Sequence, residues 1–177
     1  RPVHLAVDMR VLAPGRLIPT ARVARTRTMR KEWQMSLSNP VLTGPGGGRT
    51  VESGHGSSAE LKIVGEQSGG EWAVVEWRTR AGDGPPIHTH TREDETIYVL
   101  EGAITAFVAD QRIEVEAGSY AALPKNVPHG LSVRGEEARL LVTLEPAGAE
   151  YLLVPRDEND ADPSRFGIVL YGAAPTG

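Results

Sequence analysis

The chain has 177 residues, 40% hydrophobic and 24% charged, with a net charge of −4, the profile of one folded domain rather than of a disordered or fibrous segment. It has no cysteine, which excludes disulfides, thiolate metal sites, iron–sulfur clusters and a cysteine nucleophile, so any metal must be held by histidine and carboxylate. No apolar run approaches the roughly 18 residues of a membrane span, and no h-region of a signal peptide opens the chain, so a cytoplasmic protein without membrane contact is expected.

Residues 1–34 carry eight Lys or Arg against Asp8 and Glu32. The leader is therefore basic and the body acidic. An Arg-rich leader suits a nucleic-acid arm or an organelle transit segment, but an extension outside the domain explains the same composition, with Met35 as a candidate start. Pro14, Gly15 and Pro19 break this segment up, and the Gly- and Ser-rich stretch Leu42 to Ser58 reads as a linker. The expected division is thus a basic, irregular extension and linker over 1–58 and a folded domain over 59–177.

From Ala59 onward, short β-type runs follow one another between Gly, Pro and Asp turn signals: 59–66, 71–79, 96–102, 103–109, 111–118, 119–124, 129–133, 138–145 and 150–155. Nine short strands without a helix between them predict an all-β barrel or sandwich. The apolar FGIVLYG, Phe166 to Gly172, is expected to add a last strand that packs back on the body.

Three of the five histidines lie within this region. His88 and His90 sit two residues apart, so on a strand they share a face about 7 Å apart along the backbone and can chelate together. A hairpin over the polar residues Thr91 to Asp94 would swing Glu95 back beside them, with Glu95, Ile97 and Val99 facing inward and Thr96, Tyr98 and Leu100 outward. Pro128 restricts Val127 to extended geometry and fixes the entry of the strand that carries His129. Glu93 and Asp94 read as exposed turn acids that hydrogen-bond the hairpin backbone, so Glu93→Gln is expected to be silent. His4 and His55 read as solvated surface histidines. Trp72, Trp77, Phe107 and Tyr120 read as core aromatics rather than site residues.

These residues resemble the two motifs of the cupin superfamily. Gly82, His88, His90, Glu95 and Gly102 match the first in identity and spacing, and Gly118, Pro124 and His129 match the second. Asn126 replaces a usual glycine, a change that a left-handed turn tolerates, while Val133 replaces a usual asparagine. The phrases REDETIYVLEG and LPKNVPHG are similar to bacterial single-domain cupins of the quercetin dioxygenase-like group. The resemblance implies a double-stranded β-helix, a jelly-roll-like barrel, with His88, His90, Glu95 and His129 as metal ligands.

Such a set suits one divalent transition metal, whether Fe, Mn, Ni, Co, Cu or Zn. An ion that prefers five or six ligands would keep a position open for a small-molecule substrate. The leading expectation is a dioxygenase that uses O2 on an enolisable or phenolic, flavonol-like molecule, with Glu95 as catalytic base as well as ligand. The alternatives are a metal-dependent isomerase or decarboxylase of a small keto or hydroxy acid, and a non-catalytic small-ligand-binding cupin. A homodimer is a candidate assembly; nucleic acid is not a favoured partner.

Overall fold

In the computed structural model, residues 8–12, 16–20, 40–52 and 56–172 are described. The chain divides into two compact units, Arg1–Met35 and Ser36–Gly177. In the first, β1 (Asp8–Leu12) and β2 (Arg16–Thr20) form an antiparallel pair running from Asp8↔Thr20 to Leu12↔Arg16. The leader's Arg-rich stretch 22–31, His4 and His55 lie outside the described residues.

The second unit is the all-β body. Its strands are β3 (Thr50–Glu52), β4 (Ser58–Ile63), β5 (Ala73–Arg80), β6 (His88–His90), β7 (Asp94–Val108), β8 (Gln111–Glu116), β9 (Tyr120–Leu123), β10 (His129–Glu145) and β11 (Ile168–Leu170). All their pairings are antiparallel, and β10 joins β6, β5 and β7 into one set. This is the jelly-roll-like arrangement expected from the motifs. Among the described residues, no helix is long and apolar enough to cross a membrane.

Two of the expected strand boundaries do not exist. Runs 96–102 and 103–109 are one strand, β7, and runs 129–133 and 138–145 are one strand, β10. The two bend together instead of breaking. The register between them shifts between Arg134 and Arg139, and opposite that irregularity Gly102 takes φ +74, where a Cβ would meet the Glu137 carbonyl oxygen at 2.4 Å. Only glycine fits a backbone crossing that close with a positive φ. The closing glycine of the first motif is thus a bend in a continuous strand.

Alternation along β7 places Ile97 and Val99 fully inside and Tyr98 at the surface, as the pattern predicts. These two join Val75, Ile104, Leu140 and Val142 in the core, where burying each such side chain contributes about 1.5–3 kcal/mol.

Three local expectations are corrected. Thr50–Glu52, read as linker, pairs with β4, because the glycines before it permit close packing: a Cβ on Gly48 would sit 1.9 Å from the Leu61 carbonyl oxygen. The run 59–66 ends as a strand at Ile63 and gives way to a short helix, α1 (Gly65–Ser68), closed by Gly69 in the left-handed region. The run 150–155 forms a second short helix, α2 (Glu150–Leu153). Glu150 there is fully buried and accepts hydrogen bonds from the backbone N–H of Gly65 at 3.0 Å and of Gly148, so its side chain serves as a tertiary anchor rather than a strand position.

After α2 the chain makes two 3₁₀ turns and returns as β11 beside β6, with Ile168↔His90 and Leu170↔His88 in register. The terminal run therefore packs back on the body, as expected. It does so directly over the histidine strand.

Candidate metal centre

His88 and His129 are cross-strand neighbours on β6 and β10, and His90 follows two residues on along the same inner face. Glu95 stands at the start of β7, between Leu123 and Leu144 of the flanking strands. No β6–β7 pairing is present among the described residues. Instead of a hairpin, Thr91–Glu93 links β6 to β7, each of which pairs with β10. Thr91 anchors this link through its N–H and hydroxyl, both donating to the Gly167 carbonyl oxygen at 3.0 and 2.7 Å. Glu95 then reaches back through the interior, its Oε2 lying 3.3 Å from His90 Nε2 and 3.4 Å from His129 Nε2. One ligand atom from each of the four residues lies within 4.8 Å of all the others. Two donors on one ion with bonds of about 2.1 Å stand roughly 3 to 4.2 Å apart, so the group is close to the dimensions of a single metal site and would contract slightly around an ion.

The outer nitrogens fix the proton positions. His88 Nδ1 lies 2.9 Å from the Pro86 carbonyl oxygen, and His129 Nδ1 lies 2.9 Å from that of Val127. A carbonyl can only accept, so both Nδ1 atoms carry the proton and both Nε2 atoms present a bare lone pair. His90 Nδ1 faces the Glu93 carboxylate at 3.3 Å, with the same consequence. Metal-binding histidines are ordinarily held in this way, by a carbonyl or carboxylate on the far nitrogen.

The inner side then requires a positive charge. His88 Nε2 and His90 Nε2 are 3.1 Å apart, a distance at which two lone pairs repel unless a proton or a metal ion lies between them. His129 Nε2 is buried without a hydrogen-bond partner. Burial works to lower the His90 pKa, yet the Glu93 and Glu95 carboxylates outweigh it and push it up to about 9. Burial would raise the Glu95 carboxyl, but His129 and His90 beside it hold it well below the usual carboxylate range. Burial lowers the His88 pKa, opposed in part by Glu95. A divalent ion at the centre of the cluster would separate the facing lone pairs of His88 and His90 and also give His129 Nε2 a partner.

Glu93 differs from its expected role as an exposed turn acid. It is 2% exposed, against His90, with Gly148 of the returning tail above it. Asp94 is exposed, as read, but it opens β7 and accepts from the distant Lys125 N–H at 2.9 Å rather than from the backbone of its own turn. Glu93 is a positioning residue, and Glu93→Gln is expected to weaken metal binding by about 10- to 100-fold, the usual cost of losing such a partner. Asp94→Asn should change it less than about threefold. A metal titration of both variants checks this; unchanged affinity in Glu93→Gln would return Glu93 to a passive role.

A cavity of about 210 Å³ opens onto His88, His90 and Glu95. His129, 1% exposed, stands behind them and closes the back of the group. The remaining wall is apolar and comes from β5 (Trp77), β10 (Val142, Leu144), α2 (Leu152, Leu153) and β11 (Ile168, Leu170). Trp77, read as plain core, lines the cavity; Trp72, Phe107 and Tyr120 do not. Its position was readable from β5, where Ala73, Val75 and Thr79 of the same parity are all buried. At the positions where the motifs are usually polar or glycine, Val133 is buried in the core and Asn126 takes φ +63.

Comparison with known proteins agrees with this geometry. Residues 75–144 match the sequence model of the cupin domain family. Over 83 residues the chain is 29% identical to quercetin 2,3-dioxygenase of Bacillus subtilis (strain 168), a stretch covering 47% of this chain and 25% of that one. The match thus spans only about a quarter of that relative's length. Among solved structures, the fold is similar to KdgF from Halomonas sp. (TM-score 0.56, 14% identity, 62% of this chain and 96% of that one). It is also similar to an RmlC-like cupin from Shewanella frigidimarina NCIMB 400 (TM-score 0.53, 21% identity, 62% and 93%). At these identities the structural likeness speaks for the fold alone.

Proposed function

We propose that this chain, whose residues 75–144 match the cupin domain family, is a metal-dependent dioxygenase of an enolisable or phenolic small molecule. His88, His90, Glu95 and His129 would hold the ion, and Glu95 would serve as base. The observation that carries this reading is the convergence of three Nδ1-protonated imidazoles and one ionised carboxylate at the wall of an apolar cavity. A divalent ion held there supplies Lewis acidity toward a substrate oxygen and lowers the pKa of the hydroxyl.

The other steps fall to the chain's own residues. Pro86, Glu93 and Val127 orient the imidazoles of His88, His90 and His129 through the Nδ1 atoms of those rings, which limits the rearrangement that binding requires. Both imidazole contacts of Glu95 go through Oε2; Oε1, without a protein partner among the described residues, would take the hydroxyl proton. The leucine and tryptophan walls would exclude water, which would keep the resulting enolate or phenolate from being reprotonated, while an apolar molecule such as O2 could enter. Similarity to the Bacillus enzyme, which is a dioxygenase by name, supports the reading. The keto-acid reading fits less well. The cavity lining contains no Lys or Arg among the described residues, and a substrate carboxylate away from the ion would stay unpaired at a cost of several kcal/mol.

The test is O2 uptake by metal-loaded protein against a panel of flavonols and smaller enolisable phenols, with ¹⁸O₂ to follow both atoms into the product. Turnover that incorporates both atoms is expected. Turnover undiminished without O2 would make it an isomerase or decarboxylase. Binding without turnover of any panel member would make it a ligand-binding cupin.

A further inference from the structure

Beyond the reaction class, the cavity selects its ligand by charge and size. We infer that the site takes a neutral molecule on the scale of a single ring, apolar except for one enolic, phenolic or catecholic unit that meets the ion, and rejects otherwise similar molecules that carry a carboxylate. This rests on the metal-site reading but not on the oxygenase reading.

Three observations carry it. First, apart from His88, His90 and Glu95, every side chain on the wall is apolar except for the indole N–H of Trp77. A second polar group on the ligand would lose its water and find no partner, at about 1–3 kcal/mol for a neutral group and more for a charge. Second, three neutral imidazoles and one carboxylate leave a divalent ion with one net positive charge. One deprotonated oxygen neutralises it, whereas a further carboxylate would place an uncompensated negative charge against leucines. Third, about 210 Å³ lies below the roughly 300–1,000 Å³ of pockets that hold drug-sized ligands, so one substituted ring fits better than the three rings of a flavonol. The wall opposite the ligand set includes Leu152 and Leu153 of α2, which makes that short helix a determinant of what enters.

The test is anaerobic binding to the cobalt-loaded full chain, read from the visible bands of the metal. The probes are 4-methylcatechol, 3,4-dihydroxybenzoate and quercetin. The first two share one chelating unit and differ by a methyl against a carboxylate at the same ring position. The expected result is that 4-methylcatechol binds about 100-fold or more tightly than 3,4-dihydroxybenzoate, and more tightly than quercetin. Leu152→Arg, which places a cation on the wall, should narrow the first gap at least tenfold. Cobalt uptake with equal or stronger binding of the carboxylate probe would overturn the inference and leave the metal reading intact, as would binding of neither catechol. Failure to take up cobalt would remove both. Selective binding without any O2-dependent turnover would leave the inference standing and remove the oxygenase reading.

Discussion

His129→Ala should lose most of its metal under conditions that give the unchanged protein one ion per chain. His129 is 1% exposed, its Nδ1 is committed to the Val127 carbonyl oxygen, and its Nε2 has no hydrogen-bond partner. The protein group facing its inner nitrogen is Glu95, whose Oε2 lies 3.4 Å away without forming a hydrogen bond. Loss of a ligand should exceed the roughly 10- to 100-fold penalty of losing a residue that merely orients one. The same substitution opens a hole in a packed interior, so metal loss must be separated from unfolding. A bound ion at 100 times its Kd stabilises the fold by about 2.7 kcal/mol, or roughly 5–10 °C in Tm for a domain of this size. Chelation should lower the Tm of the unchanged protein by about that amount and leave His129→Ala unmoved. Full occupancy in a folded His129→Ala protein would remove this residue from the site.

Glu95→Gln should retain much of its metal and lose on the order of 10²-fold or more in turnover, the usual scale for a general base. Glutamine keeps the shape and one oxygen for the ion, but it cannot take a proton at neutral pH. Glu95 is the carboxylate that both lines the cavity and contacts two of the imidazoles, whereas Glu93 stands behind His90. Glu93→Gln should weaken metal binding while sparing the rate at full loading, and Glu95→Gln should do the reverse. Asp94→Asn, at an exposed position, is the silent control. Equal rates for Glu95→Gln and the unchanged protein at equal metal content would deny Glu95 the base role.

The four-residue cluster was legible through the resemblance to the two motifs, although the hairpin expected to bring in Glu95 is absent among the described residues and His129 arrives by pairing with His88. A two-residue repeat puts His88 and His90 on one face, Pro128 aims His129, and alternation from Glu95 through Val99 orients β7. Glu93 was not legible in the same way. Its own neighbours, Arg92 and Asp94, are exposed, and its burial comes from the tail, where Gly167 docks on Thr91 and Gly148 lies over the carboxylate. The same tail hid the cavity wall: 150–155 has the composition of a strand, yet the buried carboxylate of Glu150 caps Gly65 and Gly148 and turns Leu152 and Leu153 toward the site as a helix. The merging of four expected strands into β7 and β10 had a local sign in Gly102. That sign is ambiguous, because a glycine between two apolar runs marks a bend as readily as a turn.

The Nε2 atoms of His88, His90 and His129 and one oxygen of Glu95 are expected to bind a single divalent ion. X-ray absorption at the edge of the metal that purifies with the protein, measured together with its stoichiometry, reads that shell. One ion per chain is expected, with a shell containing three imidazole nitrogens and at least one oxygen at about 2.0–2.2 Å, and with the outer-ring scattering of histidine lost in proportion when His88 or His129 is replaced. A shell of oxygens alone, or the same imidazole signal in those variants, would contradict it.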